Sequence, residues 1–101
     1  MHGFARADAM VALRVIVRGR VQGVGYRFAM IEAARKLRIA GWVRNRRDGT
    51  VEALVQGEAE AVEHLLAWCH SGPPSARVTA VATVVLAPDP AIDGFVHRPT
   101  E

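Results

Sequence analysis

Polar and apolar positions change rhythm several times along the chain. Leu13, Val15 and Val17 interleave with Arg14, Ile16 and Arg18, which predicts a half-buried strand over residues 11–17. Tyr26, Met30, Ala33, Ala34 and Leu37 then recur at helical spacing, with Glu32, Arg35, Lys36 and Arg38 mostly opposite. An amphipathic helix is expected over residues 28–37, with Phe28 off its apolar stripe. Gly41 breaks the pattern. Residues 42–46 and 50–56 read as two short strands joined through Arg47-Asp48-Gly49, where Asp-Gly signals a hairpin. Gly57 opens a second helix with Glu58, Glu60 and Glu63 near its positive end. Its core stripe is Val62, Leu65, Leu66 and Cys69, and Gly72-Pro73-Pro74 stops it. The β-branched run 78–86 is a strand, Pro88-Asp89-Pro90 a rigid turn, and residues 94–98 a candidate short last strand. The order βαββαβ suggests an α+β, ferredoxin-like sandwich: a four-stranded antiparallel sheet with both helices on one face.

A chain of 101 residues fits one domain, here 11–101, with residues 1–10 as a flexible N-terminal extension. That extension has no continuous apolar segment of the signal-peptide kind, and no run approaches the length of a membrane span. Cys69 is the only cysteine, which rules out an intramolecular disulfide and a Cys-based zinc site and fits a reducing, cytoplasmic setting. The net charge of +3 favours anionic partners. Twelve of the 13 basic residues are Arg, so an arginine is informative only through its position.

One position stands out. Gly19-Arg20-Val21-Gln22-Gly23-Val24-Gly25-Tyr26-Arg27 joins the first strand to the first helix. Its three glycines allow a tight turn with inward-pointing N–H groups, and the helix start adds free N–H groups and a positive dipole end. With an arginine closing the loop, the segment describes a cradle for a small doubly charged anion such as a phosphoryl group.

Three segments in order, Val21-Gln22-Gly23-Val24-Gly25-Tyr26-Arg27, Gly41-Trp42-Val43-Arg44-Asn45 and Asp48-Gly49-Thr50-Val51-Glu52, resemble the acylphosphatases. The resemblance spans residues 11–98. It implies strand order 4-1-3-2 and hydrolysis of acyl phosphates to a carboxylate and orthophosphate, with no metal or cofactor. It implies that Arg27 binds the phosphoryl group and that the backbone of Arg20, Val21, Gln22, Gly23, Val24, Gly25 and Tyr26 wraps its oxygens. It implies as well that Asn45 positions the attacking water. Tyr26 stands where Phe is commoner, and Arg38-Ile39 where Gly-Leu is common; the second change removes a glycine helix end.

So small a set of residues suffices chemically. The leaving carboxylate is the base of an acid of pKa about 4 and departs without a proton. The transition state is loose, with weak bonding to water, so the protein supplies positioning and electrostatics. In a βαβ unit the second strand runs parallel to the first, which brings Asn45 to the end of the sheet that carries the loop.

The expected partners follow: a small-molecule acyl phosphate as substrate, and orthophosphate as product and competitive inhibitor, bound by a monomer. The competing reading is a non-catalytic ferredoxin-like module for RNA or another anionic partner. Base-stacking modules of that kind carry aromatics on their central strands, and residues 13–18 and 51–56 have none. Arg44, Arg46 and Arg47 read as a solvated hairpin, Trp42 as sheet packing, Trp68 as partly exposed and Cys69 as inert core. His2, His64, His70 and His97 show no ligand spacing and read as surface residues.

Overall fold

In the computed structural model, which describes residues 9–101, the alternation of the first strand becomes the two faces of a sheet. Val15 and Val17 of β1 (Met10–Arg20) are fully buried on one face, and Arg14 and Ile16 lie on the other. The chain continues through α1 (Tyr26–Lys36), β2 (Ala40–Asn45), β3 (Val51–Glu58), α2 (Ala59–Cys69), β4 (Arg77–Leu86) and β5 (Phe95–His97). The expected N-terminal extension lies, for residues 1–8, outside the described residues; Met10 already pairs with Glu58.

The sheet order is β4-β1-β3-β2-β5. The expected 4-1-3-2 core is present, with β1–β3, β1–β4 and β2–β3 antiparallel. The four-stranded, purely antiparallel sheet needs correcting: β5 adds a fifth strand, parallel to β2, so the sheet is mixed. Without β5 one side of β2 would present unpaired backbone groups at the edge. The pairing runs beyond β5, since Arg98 N–H donates to Val43 O and Glu101 N–H to Asn45 O.

Both helices pack on the face that carries Val15, Val17, Val43, Val51, Ala53 and Val55. Tyr26, Met30 and Ala34 of α1 and Val62, Leu65 and Cys69 of α2 are buried there, as their stripes predict. Each fully buried aliphatic side chain contributes about 1.5–3 kcal/mol relative to exposure. Among the described residues no helix is long and apolar enough to cross a membrane.

Two glycines do not do what the pattern suggests. Gly41 does not interrupt β2 but lies inside it, at φ +144°, where a Cβ would sit 1.8 Å from Leu54 O. The chain needs glycine there because two strand backbones approach each other. Gly57 does not open a helix either: it pairs with Val11, and α2 starts at Ala59 with Glu58 as an extended N-cap. The long β1 keeps β3 paired for those extra residues.

On the open face, Glu52 is 3% exposed. Arg14 Nε and Arg44 Nε donate to its carboxylate at 2.6 and 2.8 Å, and Arg46 Nη1 lies 3.4 Å away. Trp42 packs on this face with the guanidinium carbons of Arg44 and Arg98 at 4.6 and 4.8 Å from its ring centroid. Gln56 ties down the β4–β5 connection: its Nε2 donates to Asp89 O and its Oε1 accepts from Asp89 N–H, both at 2.8 Å.

The missing glycine at the end of α1 leaves the geometry unchanged. Arg38 takes the left-handed conformation itself, at φ 58°, while its N–H donates to Arg35 O and Ile39 N–H to Ala34 O. These are the two bonds of a Schellman helix end.

Two predictions follow from these contacts. Arg38→Gly should stabilise the fold by about 0.5–1 kcal/mol, because a left-handed side chain costs more than glycine's added freedom in the unfolded chain. A thermal melt followed by circular dichroism should rise by a few degrees. Burial pushes the Glu52 carboxyl up, but the hydrogen bonds and charges of Arg14 and Arg44 outweigh it and hold the group below its usual range. These pairs therefore stabilise the fold above the unfolded-state value of about 4.3, and the stabilisation is lost as pH falls through the lower folded-state value. Glu52→Gln should cost about 2 kcal/mol at neutral pH, discounted for the partly exposed arginines. Its urea-unfolding stability should fall less than the parent's as the buffer is acidified.

Candidate active site

The end of β1 must bend sharply to start the loop. Its register shifts between Arg18 and Gly19: Arg18 pairs with Ala80 and Gly19 with Val78. Gly19 sits at φ +124°, where a Cβ would lie 2.0 Å from Arg77 O, so only glycine fits this bulge. Arg20 is still in β1, in register with Arg77, and Tyr26 already begins α1. The loop proper is residues 21–25.

Buried Val21 and Tyr26 anchor the two ends of this loop. The Tyr26 hydroxyl donates to Cys69 O at 2.8 Å, and its ring packs 5.2 Å from Trp68, which is half-buried. Burial pushes the Tyr26 hydroxyl far above its ordinary pKa and the Cys69 thiol up to about 11, so both stay protonated. Between the anchors, Gly23 and Gly25 adopt φ +73° and +81°, and a Cβ on either would meet nothing within 4 Å. Here glycine supplies the turn and leaves the backbone open to whatever approaches. Gly25 is the N-cap of α1; among the described residues no side chain caps that end, and its first turn holds no acidic residue. The positive end of the helix dipole is left uncompensated beside the loop.

Gln22 spans the gap between the loop and the β2–β3 hairpin. Its Nε2 donates to Arg46 O at 2.7 Å and to Thr50 O at 2.9 Å. The hairpin keeps its shape through Asp48, whose carboxylate accepts from the Thr50 hydroxyl and N–H; these two bonds hold its pKa below the usual range. Asn45, the residue before Arg46, ends β2 on the helix-covered face, in register with Val51. Its Oδ1 is buried and accepts no hydrogen bond among the described residues. An unused acceptor in such a place costs on the order of 1–3 kcal/mol.

Arg27 is half-buried in the first turn of α1. Its Nη1 donates to His97 Nε2 at 2.6 Å. His97 is in register with Val43, two residues before Asn45 on the same strand. The loop, Arg27 and Asn45 therefore meet at one end of the sheet, as the strand directions predict. Two contacts escape the sequence reading. Gln22, singled out for its backbone, also holds the hairpin through its side chain. His97 is exposed, as expected, yet it touches Arg27. Pairing the candidate last strand parallel to β2 is the step that would have found it.

The family model Acylphosphatase matches residues 13–97. An acylphosphatase of Acidiphilium cryptum is 56% identical over 91 residues, covering 90% of this chain and 99% of its own. One from an Acidovorax species is 51% identical over 96 residues, covering 95% and 98%. The crystal structure of the Bacillus subtilis acylphosphatase superposes with a TM-score of 0.84 at 35% identity, covering 87% of this chain and 98% of that one.

The Gln22 bridge is testable. Gln22→Ala removes two hydrogen bonds, each worth about 1 kcal/mol. Urea unfolding should show a loss of about 1–2 kcal/mol. Inorganic phosphate should also bind more weakly, because the loop is no longer held at its distance from β2.

Proposed function

The chain belongs to the acylphosphatase family and hydrolyses acyl phosphates, and from that premise we propose that Arg27, the loop backbone and Asn45 carry the reaction. The observation that supports this reading best is the shared place of the loop and Asn45 at one end of the sheet, where Gln22 of the loop bonds the carbonyls of Arg46 and Thr50 beside the end of β2.

Arg27 presents a planar fork to two phosphoryl oxygens. The N–H groups of the loop, from its stem at Arg20 to Tyr26, meet the remaining oxygens at the uncapped end of α1. The Asn45 side-chain amide, which carries both an acceptor and a donor, holds the attacking water in line with the acyl oxygen. The water oxygen bonds to phosphorus as the phosphorus–acyl oxygen bond breaks. The electron pair leaves with the carboxylate, and the water's proton passes to a phosphate oxygen. No general acid is needed, because a carboxylate of conjugate-acid pKa about 4 leaves unaided. Charge spread over three equatorial oxygens is met by fixed donors that need no reorganisation. Orthophosphate fills the same cradle after reaction and competes with substrate. One chain carries every group in this scheme, so a monomer suffices.

The variants that test this divide binding from chemistry. Arg27→Ala should lower kcat/KM at least ~10²-fold, by analogy with a lost oxyanion donor. Arg27→Lys should recover little, because an ammonium lacks the fork. Asn45→Ala should depress kcat strongly while the inhibition constant of inorganic phosphate changes far less than in Arg27→Ala. Asn45→Asp should be as inactive as Asn45→Ala and bind phosphate more weakly, since it sets a negative charge near a dianion. Assays run with EDTA should match those without. If Asn45→Ala keeps kcat and raises the phosphate inhibition constant as Arg27→Ala does, Asn45 is a phosphate ligand and the water-holding role falls.

A further inference from the structure

A guanidinium at the end of a long side chain is a poor clamp unless something fixes its plane. Holding it loses about 2 kcal/mol of rotamer freedom, a cost best met before the substrate arrives. A carboxylate partner would fix Arg27 but cancel the charge that attracts the phosphoryl group. Among the described residues no carboxylate lies within ion-pair distance of Arg27. A ring nitrogen stands there instead.

We propose that His97 is a positioning residue for Arg27: its neutral imidazole accepts one Nη1–H and so fixes the guanidinium without neutralising it. The inference rests on the role given to Arg27 above. At 2.6 Å, and with arginine obliged to donate, Nε2 must be the acceptor, which puts the imidazole proton on Nδ1. Among the described residues one of the five guanidinium N–H groups is used, and the edge formed by Nε and Nη2 is open to a bidentate contact.

The imidazole is itself held from two sides. Its strand is fixed by pairing with β2 and by Arg98 N–H donating to Val43 O at 2.9 Å. Buried Phe95 roots that strand in the core, and Arg35 of α1 donates to Phe95 O at 2.9 Å. The Phe28 ring stacks against the imidazole with a 6.5 Å centroid separation and a 22° interplanar angle. This accounts for an aromatic residue that is 72% exposed and off the apolar stripe of its helix. Arg27, the prop that holds its acceptor, and the arginine that clamps the acceptor's strand all come from α1, so helix and edge strand fix the guanidinium as one unit.

The experiment uses the full chain with His97→Ala, His97→Gln, Phe28→Ala, Arg27→Ala and the double variant Arg27→Ala/His97→Ala. The readouts are kcat and KM for an acyl phosphate and the affinity for inorganic phosphate, the latter by phosphorus NMR titration. His97→Ala should weaken phosphate binding and lower kcat/KM about tenfold, the scale of one hydrogen bond to a charged group. His97→Gln, whose Oε1 reaches as far as Nε2 and only accepts, should recover most of that loss. Phe28→Ala should produce a smaller loss in the same direction. In the Arg27→Ala background, His97→Ala should leave phosphate affinity unchanged, the signature of a residue that acts only through its partner. Parent-like phosphate affinity and kcat/KM in His97→Ala would overturn the proposal. So would a His97→Gln as impaired as His97→Ala, or a full His97→Ala loss that persists without Arg27. An Arg27→Ala protein that keeps parent activity would overturn the role of Arg27 itself, a different failure.

Discussion

The site depends on one constraint of strand direction. β3 runs antiparallel to both β1 and β2, so those two strands end at the same edge of the sheet with β3 between them. Two strand spacings of about 4.8 Å separate them, leaving a gap of roughly 10 Å between the loop that follows β1 and the last residue of β2. A phosphoryl group with a water in line is an object of that scale. Gln22 helps set the gap, bonding the carbonyl of Thr50 just before β3 and that of Arg46 just after β2.

The loop uses glycine in two different ways. At Gly19 a side chain is excluded by its surroundings, because the bulge brings another backbone within touching distance. At Gly23 and Gly25 there is room for a side chain, and the positive φ alone demands glycine. The first kind keeps the stem rigid against β4. The second kind leaves backbone donors bare at the mouth. Rigidity of the stem and openness of the mouth are what a fixed set of N–H donors requires, since a loop that relaxed around each ligand would lose its electrostatic advantage.

Much of this was legible in the sequence, for identifiable reasons. The helix stripes, the hairpin and the strand-to-helix loop rest on local periodicity and local turn chemistry, and they were read with boundary errors of a few residues. The place of Asn45 at the loop's end of the sheet was legible because strand direction follows from the order of elements; its choice as a candidate came from the family resemblance. What escaped was set by contacts far apart in the chain. Gly41 and Gly57 look like breaks until their strand partners Val55 and Val11 are known. Glu52 looks like an ordinary strand carboxylate until Arg14 and Arg44 converge on it from the two flanking strands. His97 lies on a three-residue strand, too short for periodicity to register, whose partner is not its neighbour in sequence. Arg38 shows the reverse case: its sequence argued for a different helix end, yet the Schellman bonds hold the left-handed turn without glycine.

The bond between Arg27 and His97 joins residues 70 apart in a chain of 101. Contacts of such separation close late in folding, because loop-closure entropy is spent before they return anything. A chain emerging from the ribosome has the loop, the first helix and Asn45 in hand well before the last strand can dock and hold the arginine. The same order runs backwards in the mature protein. A three-residue edge strand with a single partner is the part of the sheet that opens most readily, on excursions far smaller than global unfolding. Hydrogen exchange at β5 would thus keep time with the making and breaking of the Arg27–His97 bond, while the rest of the domain stays closed.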